Sequence, residues 1–271
     1  MIVYRCENTI ESIFTAIYNA YEDKRNHEDT YIDVTGEPFL FAEDVEVISD
    51  EVKTTKVIRT LRRQFGEADY RDLCYALATY QSNGADSVYH TIVWGLKTKP
   101  APGHLLDHMT DEHVRNVMKL SKNVWREVHH LMGFVRFEEL ENNILFSKIG
   151  PKNNVLGFLM PHFADRFPME NFVIYDETHG YFGIHPAGKD WFFVSGEAKE
   201  GLSADTVAEN MDYLCRTREE EYYSDLFREF VRAITITERR NEKLQRNLLP
   251  LRFRDYMVEF NDTREPRSFP T

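Results

Sequence analysis

The chain has 271 residues, with 33 Lys plus Arg against 45 Asp plus Glu and a formal net charge of −12. At about 150 residues per domain this is one large domain or two modest ones, long enough to bury a core without disulfides or a structural metal. Its 42% hydrophobic, 13% aromatic and 29% charged content excludes disorder, and no uncharged apolar run approaches the roughly 18 residues that span a bilayer.

The opening Met1-Ile2-Val3-Tyr4-Arg5-Cys6 has neither a basic flank nor an apolar export segment, so a cytoplasmic location is expected. Cys6, Cys74 and Cys215 are too few and too scattered to form a disulfide framework, which suits a reducing compartment. Residues 2–5 alternate as a short strand. Asn8 with Glu11 makes a capping-box pattern, and Ile10, Ile13, Phe14, Ile17, Tyr18 and Tyr21 then recur at helical spacing to about Lys24. Residues 30–48 predict two short strands around the Gly36-Glu37-Pro38 turn. Ser49 is the expected N-cap of a helix ending near Gly66. Asp69 opens a second helix that stops at Ser82-Asn83-Gly84, and a third spans about Ala85 to Leu96. Lys99-Pro100-Ala101-Pro102-Gly103 is the strongest punctuation, which sets a division into residues 1–100 and 101–271.

Thr110 is the expected cap of the next helix, whose apolar face runs from Val114 to Val128 and which ends before Gly133. Phe134 to Leu140 and Ile144 to Ile149 predict a hairpin around Glu141-Asn142-Asn143. Asn153 or Asn154 starts a short helix to Phe167, and Phe172 to Tyr175, Tyr181 to Ile184 and Trp191 to Val194 read as three strands. Ala204 to Leu248 reads as helix with a break near Arg216-Thr217-Arg218, stopped by Pro250. The expected class is α+β, mostly helical, with small antiparallel sheets.

The sequence holds no Gly-x-x-x-x-Gly-Lys loop, no Gly-x-Gly-x-x-Gly, no Gly-x-Ser-x-Gly elbow and no Cys-x-x-Cys, so it implies neither a cofactor nor a metal. His104, His108 and His113 are ligand types, but they follow a Pro-Gly loop and lack a third ligand at a recognised spacing. Glu127 and His129 close one helix, and His162, Asp165 and Arg166 share another. The i, i+3 spacing lets Asp165 hold the His162 ring in one tautomer. Asp176 and Glu177 beside His179 have the types for acid–base chemistry or a magnesium ion. The competing readings are helix capping for the His162 group and turn shaping for Asp176. Glu127, His129, His162, Asp165, Arg166 and Asp176 are thus candidate catalytic residues.

Charge is uneven along the chain. Residues 1–58 carry −8 of the net charge, whereas Arg228 to Arg254 hold eight cations and three acids. At 100° per residue, Arg228, Arg232, Arg239, Lys243 and Arg246 fall within an arc of about 60° on one continuous helix, opposite Phe227, Phe230, Val231, Ile234 and Leu248. Arginine forks suit phosphate, and a one-signed arc differs from an ordinary solvated face. With Arg136, Arg166, Arg240 and Gln245 these form the candidate nucleic-acid-binding set.

Tyr4 to Cys6 with Thr9 to Tyr21, Trp125 to Phe137, Pro151 to Phe167, Ile174 to Asp176 and Leu226 to Glu259 resemble, in order, motifs of a bacterial family described as probable DNA metabolism proteins. Glu238-Arg239-Arg240-Asn241 and Leu244-Gln245-Arg246 before Pro250 match well. The resemblance implies a partner, since its members are encoded beside a radical-SAM DNA modification or repair protein, and some are fused to a uracil-DNA-glycosylase-like domain that this chain is too short to include. It carries over no catalytic residue. The chain departs from the family at His130, where Arg is usual, and near Thr178-His179, where a basic pair is usual; DNA contact there would be weaker or pH-dependent. Three functions follow as expectations. The first is a DNA-binding accessory factor of the radical-SAM enzyme. The second is a stand-alone DNA-processing enzyme of nuclease or base-excision type using His162, Asp165 and Arg166. The third is an acidic protein-interaction module without nucleic-acid binding.

Overall fold

Strand β1 (Ile2–Arg5) lies between β2 (Thr30–Asp33) and β3 (Glu43–Glu46), and both pairings are parallel. Parallel neighbours need a crossover, and helix α1 (Ile10–Glu22) supplies it between β1 and β2. The two strands flanking Gly36 therefore never pair with each other; each pairs with β1 instead. In this computed structural model the residues described are 1–140, 143–195, 217–234 and 242–260, with the backbone alone for 218, 231, 232, 234 and 242–244.

The helix starts differ from expectation in detail. Thr9, not Asn8, caps α1, its hydroxyl accepting from Ser12 N–H at 3.2 Å. Asp50 rather than Ser49 caps α2 (Glu51–Leu77), and Gly66 at φ 83° breaks that helix where its break was predicted. In each case the cap is the residue directly before the first helical position, whose side-chain oxygen reaches free N–H groups of the first turn: Ser12 for Thr9, Val52 and Lys53 for Asp50. Helices α3 (Gly84–Thr98) and α4 (Glu112–Phe134) follow; the carboxylate of Asp111 accepts from His113 and Val114 N–H. Phe14, Ile17, Leu61, Phe65 and Ile92 form the core among α1, α2 and α3.

The second sheet runs β4 (Glu138–Leu140), β5 (Ile144–Ile149), β6 (Phe172–Asp176), β7 (Tyr181–His185) and β8 (Phe192–Ser195) in sequence order. It is mixed: β5 and β6 are parallel, bridged by α5 (Leu156–Arg166), and the other pairs are antiparallel. The α+β, mostly helical class stands, while the expectation of purely antiparallel sheets is corrected for both sheets. Hairpin signals report only local turns, and the helical crossovers after β1 and β5 impose parallel pairing. Beyond β8 come α6 (Arg218–Ile234), α7 (Glu242–Leu248) and the single-turn α8 (Leu251–Arg254). The start of α6 falls at the predicted break. The expected continuity of that helix rests on residues 235–241, which lie outside the described residues, as do Ala204 to Arg216, Cys215 and the turn residues Glu141 and Asn142.

The chain divides into two compact units, Met1–Arg126 and Glu127–Thr271, the division falling within α4. The Pro100–Gly103 segment belongs to the first. Asp69, 3% exposed, holds it by accepting from Gly103 N–H at 3.0 Å and Leu105 N–H at 3.1 Å through one oxygen. Burial pushes the Asp69 pKa up despite these bonds. Asp69→Ala takes the acceptor from the buried Leu105 N–H, while Gly103 N–H keeps the Phe65 carbonyl at 2.7 Å, and is expected to lower stability by about 1–3 kcal/mol in a denaturant titration. Asp69→Asn keeps an accepting oxygen and should cost less. A raised pKa means that the stability from this carboxyl is full at low pH and lost as pH rises through its folded value. The deficit of Asp69→Asn against wild type should therefore be smaller at pH 7 than at pH 4.

Candidate functional site

In the N-terminal unit the first half of α2 buries Thr54, Val57, Leu61 and Phe65 on one side. At 100° per residue the opposite side presents Lys56, Arg59 and Arg63 within an arc of about 60°; all three are exposed. Residues 52–66 contain five cations and no acid. Lys53 and Lys56 lie 5.3 and 5.2 Å from the Tyr18 ring centre, and Arg62 lies 4.6 Å from that of Tyr70. Lys53 bonds Asn19 at 2.7 Å and Glu22 at 3.3 Å, and Arg62 pairs with Glu67 at 3.2 Å. Arg59 and Arg63 have no ion pair among the described residues. Beside Lys56 opens an apolar cavity of about 200 Å³ walled by Tyr18, Tyr21, Leu61 and Leu96.

Sequence reasoning missed this face. A charge count closed at residue 58 cuts the helix in two and merges its lysines with the acids before them. The i, i+3, i+7 spacing of Lys56, Arg59 and Arg63 was the signal that would have found it.

The C-terminal unit treats the expected phosphate-binding cations differently. Arg136 donates to Glu259 at 2.9 Å and to the carbonyls of Gly133 and Val135. Arg228, its side chain 12% exposed, pairs with Asp225 at 2.6 Å and donates to the Val258 carbonyl at 3.1 Å. Both are engaged inside the unit. Arg166, Gln245 and Arg246 are exposed. Arg239 and Arg240 lie outside the described residues, as do the side chains of Arg232 and Lys243. Phe227 and Phe230, expected on a core-facing side, are 39% and 55% exposed. Glu220 in the first turn of α6 accepts from Glu139 N–H and the Ser224 hydroxyl.

Among the candidate catalytic residues, Glu127 and Asp176 are each engaged by partners outside that set. Glu127, 2% exposed, accepts from Lys152 N–H at 3.0 Å, Asn153 N–H at 2.9 Å and the Asn153 amide at 2.5 Å, and pairs with Arg252 at 2.9 Å. Those bonds hold a loop and the C-terminal segment together. Asp165 is exposed, and no hydrogen bond or ion pair links it to His162, whose Nε2 is buried with no hydrogen-bond partner among the described residues. Arg166 stacks on Phe167, and His129 is exposed on α4. His104, His108 and His113 meet Asp107, Trp94 and His90 respectively. Among the described residues no group of three His, Cys, Asp or Glu is placed to hold a metal.

A buried acid–histidine cluster assembles at the carboxyl ends of the parallel strands β5 and β6. Asp176, fully buried, accepts from Thr178 and His179 N–H and sits 2.8 Å from His179 Nδ1. Next to it Glu177 pairs with Lys148 at 2.6 Å and accepts from the Tyr256 hydroxyl. Burial alone would raise the Glu177 pKa, but Lys148 and Tyr256 outweigh it and hold the carboxyl below its usual range. Burial and the Glu177 charge push the Tyr256 phenol up. Gly150 has no Cβ because the Tyr256 hydroxyl occupies that space. Neither described thiol is an activated nucleophile: burial pushes Cys6 up to about 12 and Cys74 up to about 11.

These features define a mostly helical α+β protein with a cationic helix face in one unit and a buried acid–histidine cluster in the other. The DUF4130 family, a domain of unknown function, matches residues 83–259. That is well over half of the chain, and the chain belongs to this family. No curated protein matches it.

The contact between Tyr256 and Glu177 anchors the C-terminal segment. Tyr256→Phe is expected to lower hydrogen-exchange protection of amides 253–257 about fivefold at neutral pH, equivalent to about 1 kcal/mol. A carboxyl with a depressed pKa stabilises above its unfolded value and loses that contribution as pH falls through its folded value. Wild-type protection should therefore decline on acidification below about pH 4, while Glu177→Gln shows no such step.

Proposed function

We propose that the protein is a DNA-binding accessory factor that works with a radical-SAM DNA repair or modification enzyme. The observation that carries the DNA part is the α2 face: Lys56, Arg59 and Arg63 are exposed on one side and Arg59 and Arg63 have no ion pair among the described residues, with lysines and an arginine set over Tyr18 and Tyr70. Such cations neutralise phosphates and release counterions, which gives binding without base reading. The exposed Arg166, Gln245 and Arg246 offer further contacts in the C-terminal unit. The radical-SAM partner rests on the resemblance to probable DNA metabolism proteins, whose genes lie beside such an enzyme.

Fluorescence anisotropy with single- and double-stranded 20-mers tests the reading. Affinity should fall steeply with salt. The triple reversal Lys56→Glu/Arg59→Glu/Arg63→Glu should weaken binding more than tenfold and reduce the log–log salt slope by about 2–3. Unchanged affinity in that variant would remove the α2 face, and a loss confined to Arg239→Glu/Lys243→Glu/Arg246→Glu would place binding on the C-terminal helices. Co-purification with the neighbouring radical-SAM protein, with and without DNA, tests the partnership.

A second reading, a DNA-processing enzyme, is favoured by the Asp176–His179 pair. A buried carboxylate holding Nδ1 leaves Nε2 for proton transfer. Nicking of supercoiled plasmid by the full chain, lost in His179→Gln with unchanged melting temperature, would support it, and an inactive wild type would end it.

A further inference from the structure

The two outer edges of the N-terminal sheet are treated unequally. On β2, the outward Ile32 N–H donates to Asp86 of α3 at 3.2 Å, so a helix covers that edge. On β3, Glu43 and Val47 N–H donate to Met1 and Arg5 carbonyls, which fixes residues 43, 45 and 47 toward β1. Asp44 and Glu46 therefore turn their backbone groups away from the sheet, where no described residue pairs with them. Ahead of this edge, Leu40 and Phe41 are 84% and 98% exposed, and Ile48 just past it is 88% exposed. Phe41 also holds φ at 61°, a left-handed conformation strained for a bulky side chain.

Edge strands with free backbone groups accept an added strand, and natural edges left free are usually protected. Charge alone would protect this one, since a second copy paired antiparallel would set Asp44 and Glu46 against their own kind. Protection does not explain three large apolar side chains beside the edge, because such patches mark interaction sites. Residues 37–51 contain six acids and no cation. Arg5 and Arg25 pair with Asp44 and Glu43, at 3.0 and 3.6 Å, while Glu37 and Glu46 keep no ion pair among the described residues. The same acids repel nucleic acid.

We infer that β3 and the Phe39–Phe41 loop are a docking edge for an extended segment of a partner protein, one that carries Lys or Arg at alternate positions and an apolar anchor. The segment adds as a strand beside Asp44 and Glu46, its cations facing Glu46 and Glu37 and its anchor lying on Leu40 and Phe41. This inference is independent of DNA binding on α2.

A fluorescein-labelled 12-residue peptide alternating Lys with Val and Tyr serves as the probe for the full chain. Binding should weaken with salt, be absent for the Glu-for-Lys peptide, and fall more than tenfold when alternate backbone nitrogens of the peptide are methylated. Glu46→Lys should cut affinity more than tenfold. Phe41→Gly should do the same while the melting temperature holds or rises, because glycine adopts the left-handed conformation without strain. Both variants should bind DNA as wild type does, which separates failure here from failure of the DNA reading. The inference is overturned if the basic peptide does not bind, if the methylated peptide binds equally, or if both variants keep wild-type affinity for it.

Discussion

Arg5 stands at the end of the central parallel strand, 2.9 Å from Asp33 on one neighbour and 3.0 Å from Asp44 on the other. Its guanidinium also donates to the Glu37 carbonyl at 2.9 Å and lies 6.0 Å from the Phe39 ring centre. The two outer strands β2 and β3 bring acids to either side of β1, and a cation on the central strand offsets the repulsion between them. The planar fork of arginine meets several oxygens at once, which a lysine could not do with the same geometry. Asp33 in turn accepts from Thr35 and Gly36, so one ion pair fixes the sheet end, the turn after β2 and the loop that displays Phe41.

The C-terminal unit solves a related problem with the signs reversed. Its last described segment, around the four-residue α8, is too short to be stable as an isolated helix. It is pinned at separate points: Arg252 to Glu127, Tyr256 to Glu177, Glu259 to Arg136 and the Val258 carbonyl to Arg228. Phe253 fills the space beside His130 and Phe134. Two arginines that sequence spacing offered to phosphate are thus occupied with holding the chain together. A cation on a helix surface and a cation clamping a buried carboxylate look alike in a sequence, and only the position of the acid partner, here 123 residues away for Arg136, tells them apart.

Legibility in the sequence followed the range of the interaction. The helical period of α1, the break at Gly66 and the strands β6 to β8 were readable because each depends on neighbours within a few residues. Strand direction was not readable. Whether two short strands form a hairpin or both flank a third is decided by pairing across the chain, and β1 collected both. The acids were half legible: Asp176 was open to a turn reading and does shape its turn through Thr178 and His179 N–H, whereas the structural use of Glu127 depends on Asn153 and on Arg252, far along the chain. The α2 cations were missed for a different reason, since a sum over a fixed window averages away any pattern that straddles its end.

That last point bears on what a net charge of −12 means. Residues 37–51 hold six acids and no cation, and residues 52–66 hold five cations and no acid. The change of sign coincides with the start of α2. Asp50 caps that helix and Glu51 opens its first turn, where the positive end of the helix dipole favours carboxylates, so the acids belong at that end on local grounds. The cations then follow along the exposed side. With a Debye length of about 8 Å at physiological salt, a face more than one or two turns from the acids presents its own field and not the molecular total. An acidic edge and a basic helix face therefore coexist within one small unit, each with a local field of its own sign.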